Sequence, residues 1–523
     1  MQELKDSFER QAREGGLVIL SRRILGDHLT PVLAYRRLVL PDERTAPSFL
    51  FESVENGATV GRHSILGARP ALELTARAER ATIVDHRRQT RRETVSHDPL
   101  ALLRELGAPF RPASAEALAP LRLPAAFTGG FVGFASFDSV RYLEPAKLSF
   151  ERAPADDRGL PDLHFGLYRD IVVFDHVAKT VHLVVSAHLS EFPTASRAFD
   201  ALVDRLDALE GQLAAPGPGL AHGRIDLDTS RRPAEPASNM TREAFEAMVV
   251  RAKEYIAAGD AFQIVLSQRL ERTTSADPFD LYRALRVVNP SPYQIYLQAE
   301  GAILVASSPE ILCRVRDGVV TNRPLAGTRV RGRTPDEDAA LEAELLADEK
   351  ERAEHVMLVD LGRNDLGRVC EPGSISIDRC MEIERYSHVM HISSTVTGRL
   401  RAGLDAYDAL RATLPVGTVS GAPKVRAIEV IDELEPTRRG PYSGGIGAIS
   451  YTGDMDIALA LRTMVVPTKG GAAPWTVHLQ AGAGVVLDSD PRAEWQETIS
   501  KASALGRAID LAEQAFAPAP AAG

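Results

Sequence analysis

The stretch that decides the fold spans residues 476–501 and reads TVHLQAGAGVVLDSDPRAEWQETISK. Its first half, as far as Leu487, is apolar and glycine-punctuated, which predicts a buried strand. Pro491 then opens a helix that we expect to close the fold. Glu494 and Glu497 stand three residues apart in this helix, so both carboxylates project from one face. The stretch therefore predicts a strand followed by a helix that presents two oxygen ligands to one point.

A second pair of carboxylates, Glu351 and Glu354, has the same spacing on a long charged helix predicted from about Pro335 to Leu361. Mg²⁺ prefers oxygen ligands and often binds carboxylates together with an anionic substrate. Glutamates three residues apart on a charged helix are, however, more often a solvated face. Spacing alone leaves both interpretations open for each pair.

Strand and helix patterns alternate along the rest of the chain and define its class. Further strands are predicted at 171–174, 181–185, 262–270, 294–297, 303–306 and between 444 and 466, and a helix at 240–256. The Pro- and Gly-containing run 214–239 has the composition of a linker. It separates an N-terminal region, 1–213, from a larger region, 240–515, which precedes an Ala/Pro-rich tail. The class predicted is α+β with large sheets.

Two glycine-containing segments are candidates for contact with an anion. The run 417–424 reads GTVSGAPK, and its glycine spacing differs from that of a P-loop, so an NTPase is disfavoured. It can still offer backbone N–H groups, hydroxyls and a cation to a carboxylate at a helix start. Gly482 and Gly484 would let the backbone approach a ligand closely, although tight strand packing explains such glycines equally well.

Composition argues against several classes of function. The chain has 61 Lys and Arg against 71 Asp and Glu, and this net charge of −10 provides no positive surface for nucleic acid or an anionic membrane. Three cysteines without a CxxC pair indicate reduced thiols rather than a zinc site. No apolar stretch approaches the roughly 20 residues of a membrane span, and the N-terminus is polar, so we expect a cytoplasmic protein.

Eight short runs, in order, cover the chain from about residue 240 to 510 and carry a family resemblance. They are RPLAGT at 323–328, DEKERAEH at 348–355, LVDLGRND at 358–365, SHVMH at 387–391, GTVSGAPK at 417–424, ALRT at 460–463, QAGAG at 480–484 and the helix with Glu494 and Glu497. On these runs the sequence resembles the chorismate-utilising enzymes, and within them the large subunits (component I) of anthranilate synthase. The resemblance implies an α+β fold of two large, mostly antiparallel sheets packed as a sandwich with helices outside.

The same resemblance implies a magnesium site between the two glutamate-bearing helices, where the ion holds the ring carboxylate of chorismate. Its ligands would be Glu351, Glu354, Glu494 and Glu497. The substrate would be held by Thr418, Tyr442, Arg462, Gly482, Gly484 and Lys501. An arginine in mid-strand, as Arg462 is predicted to be, is costly to bury unpaired, which suits contact with an anion.

A two-step reaction is also implied by the resemblance. Ammonia adds to C2 of chorismate as the C4 hydroxyl leaves, and the elimination of pyruvate from the aminodeoxyisochorismate then gives anthranilate. Glu310 would protonate the leaving hydroxyl, with Thr328 nearby, provided that burial raises its pKa. His391 would take the proton from C2.

Two positions distinguish this reaction from related ones. Gln263 stands where isochorismate and salicylate synthases carry a lysine that activates water, and a neutral amide cannot act as that base. Ala326 stands where many aminodeoxychorismate synthases carry a lysine, so covalent capture at C2 lacks its amine. Both positions favour anthranilate synthase, the first enzyme of tryptophan biosynthesis, and aminodeoxychorismate synthase is the nearest alternative.

The N-terminal region resembles the family's site for L-tryptophan as feedback inhibitor. The run LFES at 50–53 departs from the usual sequence at Phe51, and Gln294 replaces a frequent methionine. The expected tryptophan-binding residues are Glu52, Ser53, Ser64, Pro292, Tyr293 and Gln294. A non-catalytic tryptophan-binding regulatory subunit is the alternative from another class of protein.

Glutamine hydrolysis is not expected of this chain. None of its cysteines has the glycine-flanked setting of a glutaminase nucleophile. It would use free ammonia alone, and glutamine only with a separate small glutamine amidotransferase subunit. The family suggests a heterotetramer of two large and two small subunits.

Overall fold

The structure is a computed structural model that describes residues 2–55, 59–217, 219–225, 236–386 and 389–516. Residues 387 and 388 of the run 387–391, part of the expected linker and the tail after Phe516 lie outside the described residues. None of the helices described is long and apolar enough to cross a membrane.

Two large sheets form the centre of the protein. In order across the first sheet, the strands are Leu17–Leu25, Thr180–His188, Asp170–Asp175, His63–Ala68, Ser48–Glu52, Tyr293–Ala299, Ala302–Ser308, Thr463–Pro467, Trp475–Val485, Gln263–Thr274 and Ala237–Ser238, with Gly421–Ala422 also paired to Gln263–Thr274. In the second they are Leu325–Val330, Val389–Arg399, Val319–Asn322, Ile311–Arg316, Met455–Leu459, Gly445–Ser450, Gly130–Ala135, Leu163–Tyr168, Leu72–Arg77, Arg80–Asp85 and Thr90–Val95, with Ser376–Arg385 beside Val389–Arg399. Neighbouring strands are antiparallel. Val54–Glu55 and Thr59–Val60 form a separate pair.

Alternation of side chains along each strand creates a core between the sheets and one on each outer face. Phe49, Ile171 and Leu297 of the first sheet meet Val132 and Ile446 of the second. The outer faces are covered by helices. The α-helices are Gln2–Glu14, Pro31–Leu38, Pro99–Gly107, Ala115–Leu118, Val140–Leu143, Ala195–Ala214, Arg242–Ala257, Pro278–Val288, Pro335–Ala347, Glu349–Gly367, Ala406–Thr413, Gly417–Ser420, Lys424–Leu434 and Pro491–Ala515. The predicted sandwich of antiparallel sheets with helices outside is confirmed.

Strands from before and after the run 214–239 share both sheets. Ser48–Glu52 pairs with Tyr293–Ala299 in the first sheet, and Gly130–Ala135 pairs with Gly445–Ser450 in the second. The functional division of the chain at 214–239 stays a prediction.

The prediction of one long helix from about 335 to 361 is wrong. Two helices, Pro335–Ala347 and Glu349–Gly367, meet at Asp348, which has an extended backbone. The Asp348 carboxylate accepts hydrogen bonds from the backbone N–H groups of Lys350 and Glu351, both at 3.1 Å, and so caps the second helix. As a result, Glu351 lies in the first turn of a new helix.

Candidate active site

Gln263 and Gly484 bring the first sheet to the helix Glu349–Gly367. Strand Gln263–Thr274 pairs with Trp475–Val485, so that Val265 lies opposite Gly484. The buried Gln263 amide donates from Nε2 to Glu354 Oε1 at 2.9 Å. A Cβ at Gly484 would lie 2.5 Å from that nitrogen and 3.6 Å from the Glu354 carboxylate. The glycine is therefore required for the close approach of these groups.

Glu310 lies where the chain leaves strand Ala302–Ser308 of the first sheet and enters strand Ile311–Arg316 of the second. Thr418, from the short helix Gly417–Ser420, donates from Oγ1 to Glu310 Oε1 at 2.9 Å. Burial raises the pKa of Glu310 to about 8, against the lowering effects of Thr418 and of the positive charge of Arg462. The carboxyl group is thus protonated at neutral pH and can act as an acid.

The imidazole of His391 has one free nitrogen in this site. Its Nδ1 lies 3.0 Å from the carbonyl oxygen of Gly327 and 3.1 Å from Thr328 Oγ1. Because a carbonyl oxygen only accepts, we assign the ring proton to Nδ1, which leaves a lone pair on Nε2. Nε2 is buried and has no hydrogen-bond partner in the described part of the chain. Burial, then the charge of Arg462, lower the pKa of His391 to about 4, so the ring is a neutral base.

Arg462 brings a partly buried positive charge to both groups. The prediction that it lies in mid-strand is wrong. Arg462 directly precedes strand Thr463–Pro467, and its φ of 46° is in the left-handed region. Its carbonyl oxygen accepts a hydrogen bond from the backbone N–H of Ser307 at 3.1 Å. Across the described ranges its guanidinium forms no salt bridge. Strained backbone and a partly buried cation without a salt bridge are typical of a site for an anionic ligand.

Tyr442, Gly482 and Lys501 form a further side of the site. Lys501 donates from Nζ to the carbonyl oxygen of Gly482 at 3.0 Å and pairs with Glu497 Oε1 at 2.6 Å. A Cβ at Gly482 would lie 3.1 Å from the Tyr442 hydroxyl. The charge of Lys501 lowers the pKa of both Tyr442 and His391, so this side of the site lies within electrostatic range of the base.

The four glutamates interact as two pairs, one on each helix. Burial and the charge of Glu354 raise the pKa of Glu351. Burial raises the pKa of Glu494, and the charge of Glu497 adds to that effect. Lys350, on helix Glu349–Gly367, lowers the pKa of Glu494, on helix Pro491–Ala515, so the two side chains lie within electrostatic range of each other.

These carboxylates are suited to a hard divalent cation, although they do not converge on one metal position. Among the described residues no group of three or more His, Cys, Asp or Glu converges on a metal position. At Gly327, which has φ of 65°, a Cβ would lie 3.2 Å from Glu351 Oε2, so the glycine keeps space open beside that carboxylate. Crowded negative charge, oxygen donors and this open space together fit Mg²⁺.

Three of the six expected tryptophan-binding residues share one face of the first sheet. Gln294 pairs with Glu52, and Ser64 follows the same alternation, on the face opposite to Phe51 and Ile65. Glu52 is held by the Tyr282 hydroxyl at 2.7 Å and by Arg286 at 2.8 Å, and Ser64 contacts His176 at 2.7 Å. Gln294 Oε1 is buried and, over the described ranges, has no partner.

The other three residues lie elsewhere. Tyr293 points to the opposite face, where its hydroxyl donates to Asp456 Oδ1 of the second sheet at 2.7 Å. Pro292 precedes that strand, and Ser53 follows strand Ser48–Glu52, with its carbonyl oxygen accepting from the Gly61 N–H at 2.7 Å.

Tyr386 is a site residue that the sequence analysis missed. Its ring packs edge-on against His391, with 5.6 Å between the ring centroids. Burial lowers the pKa of Arg462, and Tyr386 opposes that effect. The one feature of the sequence that points to Tyr386 is its position directly before the run 387–391. A buried tyrosine at a strand end has many purely structural explanations, so this signal is weak.

A protonated carboxyl group, a neutral imidazole and two cations, Arg462 and Lys501, beside paired glutamates are the parts of an acid–base site for an anionic substrate. Residues 47–507 match the model of the family described as chorismate binding enzyme. The chain therefore belongs to that family, and it falls among the large subunits of anthranilate synthase, since relatives named as such match along nearly its whole length. The resemblance expected from the eight runs is confirmed. Enzymes of this family generally use Mg²⁺.

The chain is 54% identical to anthranilate synthase alpha subunit 1, chloroplastic, of Oryza sativa subsp. indica, over 99% of this chain and 92% of that protein. It is 42% identical to anthranilate synthase component 1 of Acetivibrio thermocellus, over 97% and 98% of the two chains. The crystal structure of anthranilate synthase component I from Streptococcus pneumoniae TIGR4 superposes with a TM-score of 0.72 at 38% identity, covering 93% of this chain and 99% of that one.

Proposed function

We propose that this chain is the catalytic large subunit of an anthranilate synthase, a lyase that forms anthranilate and pyruvate from chorismate and ammonia. Identity of 54% over almost the whole chain supports this function. The observation that carries the chemistry is the pairing of a buried acid with a free base. Glu310 is protonated at neutral pH, while His391 presents an unprotonated Nε2. The positive charge of Arg462 lowers the pKa of both groups.

In the first step, the nitrogen of ammonia bonds to C2 of the substrate while the C4–O bond breaks. The proton of Glu310 passes to the departing hydroxyl group, which leaves as water. Thr418 holds the carboxyl group in place, and Arg462 supplies a positive charge for a substrate carboxylate. Gln263 is a neutral amide, so it does not activate a competing water molecule.

In the second step, Nε2 of His391 accepts the proton from C2, and the electron pair released breaks the bond to the enolpyruvyl oxygen while the ring becomes aromatic. The enolpyruvyl group leaves as the enolate of pyruvate and becomes pyruvate by taking up one proton at its methylene carbon, which balances the proton removed from C2. The imidazolium that forms is stabilised by the hydrogen bond from Nδ1 to the Gly327 carbonyl oxygen. The low pKa of His391 keeps the ring neutral in the free protein. The negative charge of the bound substrate offsets the neighbouring cations and so raises that pKa.

Glu351, Glu354, Glu494 and Glu497 would hold Mg²⁺, which supplies positive charge for the ring carboxylate of chorismate when it is bound. In this proposal the Lys501 ammonium group leaves Glu497 and turns to the substrate, because Glu497 and the substrate carboxylate compete for its positive charge. The raised pKa values of Glu351 and Glu494 support the assignment, because a cation would offset both the burial and the neighbouring carboxylate that raise them.

The proposal includes a small glutamine amidotransferase subunit as ammonia donor, a heterotetramer, a cytoplasmic location and inhibition by L-tryptophan. The relatives are named as an alpha subunit or component 1, which supports a partner chain. The shared face of Glu52, Ser64 and Gln294 supports a tryptophan pocket.

The test incubates the purified chain with chorismate, ammonium at alkaline pH and Mg²⁺, and follows anthranilate by fluorescence and mass spectrometry. We expect anthranilate formation that is lost with EDTA, and lost in Glu497→Gln at the lowest Mg²⁺ concentration that supports the parent. Glu513→Gln, on the same helix but bound to Arg272 and Thr274, is the matched control and should stay active. Accumulation of aminodeoxychorismate would replace this function by its nearest alternative, and untouched chorismate would favour a tryptophan-binding regulatory subunit.

A further inference from the structure

Arg439 is a buried charge that none of the sequence motifs includes. It is 2% exposed and lies a few residues after helix Lys424–Leu434. Its Nε donates to Glu435 Oε2 at 2.9 Å, and its Nη2 donates to Glu435 Oε1 at 2.6 Å. The pair forms a bidentate salt bridge with almost no contact with solvent.

The guanidinium also reaches two separate parts of the site. Its Nη1 donates to the carbonyl oxygen of Val419 at 2.7 Å, in the short helix that carries Thr418. Its Nη2 donates to the carbonyl oxygen of Val265 at 2.7 Å, in the strand that begins at Gln263. One side chain therefore joins two elements that are far apart in the sequence.

Glu435 adds a third and a fourth contact. Its Oε1 accepts hydrogen bonds from the backbone N–H of Ser267 at 2.8 Å and from the Ser267 hydroxyl at 2.9 Å. Ser267 lies directly opposite Gly482 in the sheet. The Arg439 guanidinium also lies 5.9 Å from the centre of the Tyr442 ring. The pair thus touches the elements that carry Thr418 and Gln263 and the Tyr442 ring, and it holds the residue opposite Gly482.

Stability alone is a poor explanation for such a pair. Removing two charges from water is unfavourable, and apolar residues of similar volume are often neutral or stabilising in place of a buried ion pair. The planar, five-donor guanidinium is suited to hold several acceptors in one fixed arrangement. Besides the Glu435 carboxylate, its hydrogen bonds in the described part of this chain go to backbone carbonyl oxygens of two site elements, which a packing role would not require.

We propose that Arg439 and Glu435 are positioning residues, which fix the Thr418 helix, the Gln263 strand and the Tyr442 ring relative to one another for the binding of chorismate. This inference rests on the proposed function for the identity of the substrate. Neither residue contacts the acid or the base. They act on the reaction through Val419 and Val265, and so through the placement of Thr418 and Gln263.

The proposal has a consequence for pH dependence. The hydrogen bond from Thr418 lowers the pKa of Glu310, so displacement of Thr418 should raise that pKa. Across the site, Glu310 also faces Arg462, which lowers its pKa and is not moved directly by the pair. The alkaline limb of kcat/KM should therefore move to higher pH when the pair is weakened.

Arg439→Lys tests this, because one ammonium group cannot reach Glu435 and both carbonyl oxygens together. We expect kcat/KM for chorismate to fall about tenfold or more, and the alkaline limb to move up. Arg169→Lys is the matched control, since Arg169 is equally buried and bonds a carbonyl oxygen and a carboxylate, those of Ser186 and Glu191. The control should lose a comparable amount of thermal stability without either kinetic change. Parental kcat/KM and an unmoved limb in Arg439→Lys would overturn the proposal.

A second variant covers the case in which Arg439→Lys fails to fold. In the double variant Arg439→Met with Glu435→Leu both charges are removed at similar volume, so folding should survive. A folded double variant with reduced kcat/KM supports positioning, whereas parental kinetics would refute it.

Hydrogen–deuterium exchange separates this inference from the proposed function. Weakening the pair should speed exchange at 263–267 and 417–422, whatever product the chain makes. Absence of anthranilate from the unaltered chain would defeat the proposed function, and unchanged exchange at both segments would defeat the positioning role.

Discussion

Glu310→Gln separates the chemistry of the acid from the stability of the fold. Glutamine keeps the size of the side chain and an oxygen that can accept from Thr418 Oγ1. It removes the proton that the leaving hydroxyl group requires. Loss of a general acid slows a step by about 10²- to 10⁴-fold, so kcat should fall in that range, while KM for chorismate changes little.

The same substitution should stabilise the protein. Burial raises the pKa of Glu310 from the ordinary 4.5 to about 8, so between these values the folded chain holds a proton that the unfolded chain releases. The contribution of Glu310 to stability is therefore complete below pH 4.5 and is lost as pH rises towards 8. At about pH 7 this loss is about 3 kcal/mol, since each pH unit above the unfolded pKa costs about 1.4 kcal/mol.

Glutamine has no such penalty, and urea unfolding measures the difference. The free energy of unfolding of the variant should exceed that of the parent by about 3 kcal/mol near about pH 7, and by less than about 1 kcal/mol near about pH 5. Anthranilate formation is followed on the same samples. A stability difference that does not change with pH would refute the buried, protonated acid, and near-parental kcat would refute its catalytic role.

Three further substitutions test other parts of the site. Thr418→Val removes a hydrogen bond that lowers the pKa of Glu310, so kcat/KM should fall about tenfold, and a pH–rate profile should show the alkaline limb at higher pH. Glu497→Gln removes a proposed ligand and frees Lys501, so the Mg²⁺ concentration for half-maximal rate should rise about tenfold or more in a titration. Glu52→Gln weakens the hold of Tyr282 and Arg286 on this side chain, so steady-state assays should show tryptophan inhibition weakened by about tenfold at parental kcat.

Features that depend on local geometry could be predicted from the sequence. The helix Arg242–Ala257 begins next to Thr241, whose hydroxyl caps it by accepting from the Ala244 N–H. The break at Asp348 had a local signal too, an aspartate three residues before a glutamate, but the surrounding helix formers obscured it. Such features involve neighbours within one turn, so the sequence alone contains their cause.

Features that depend on packing across the sheets could not be predicted in this way. Arg462 belongs to a short apolar run that indicates a strand, but the backbone takes a left-handed conformation before that strand begins. Arg439 reads as an ordinary charged residue after a helix, and only the approach of Val265 and Val419 makes it a central contact. Neither partner is near Arg439 in the sequence, so no local pattern indicates the contact.

The face expected to bind tryptophan and the site expected to bind chorismate meet at Ser307. Gln294, next to Glu52 in the sheet, donates to the Ser307 hydroxyl at 3.0 Å, and the Ser307 N–H donates to the Arg462 carbonyl oxygen at 3.1 Å. An inhibitor acts at a distance only if it binds two states with different affinity. A left-handed arginine has few alternative conformations, so a shift of Ser307 would change the direction of its guanidinium rather than be absorbed by the backbone. We therefore predict that the replacement of the usual methionine by Gln294 affects the transmission of the proposed tryptophan inhibition, and not the proposed acid and base.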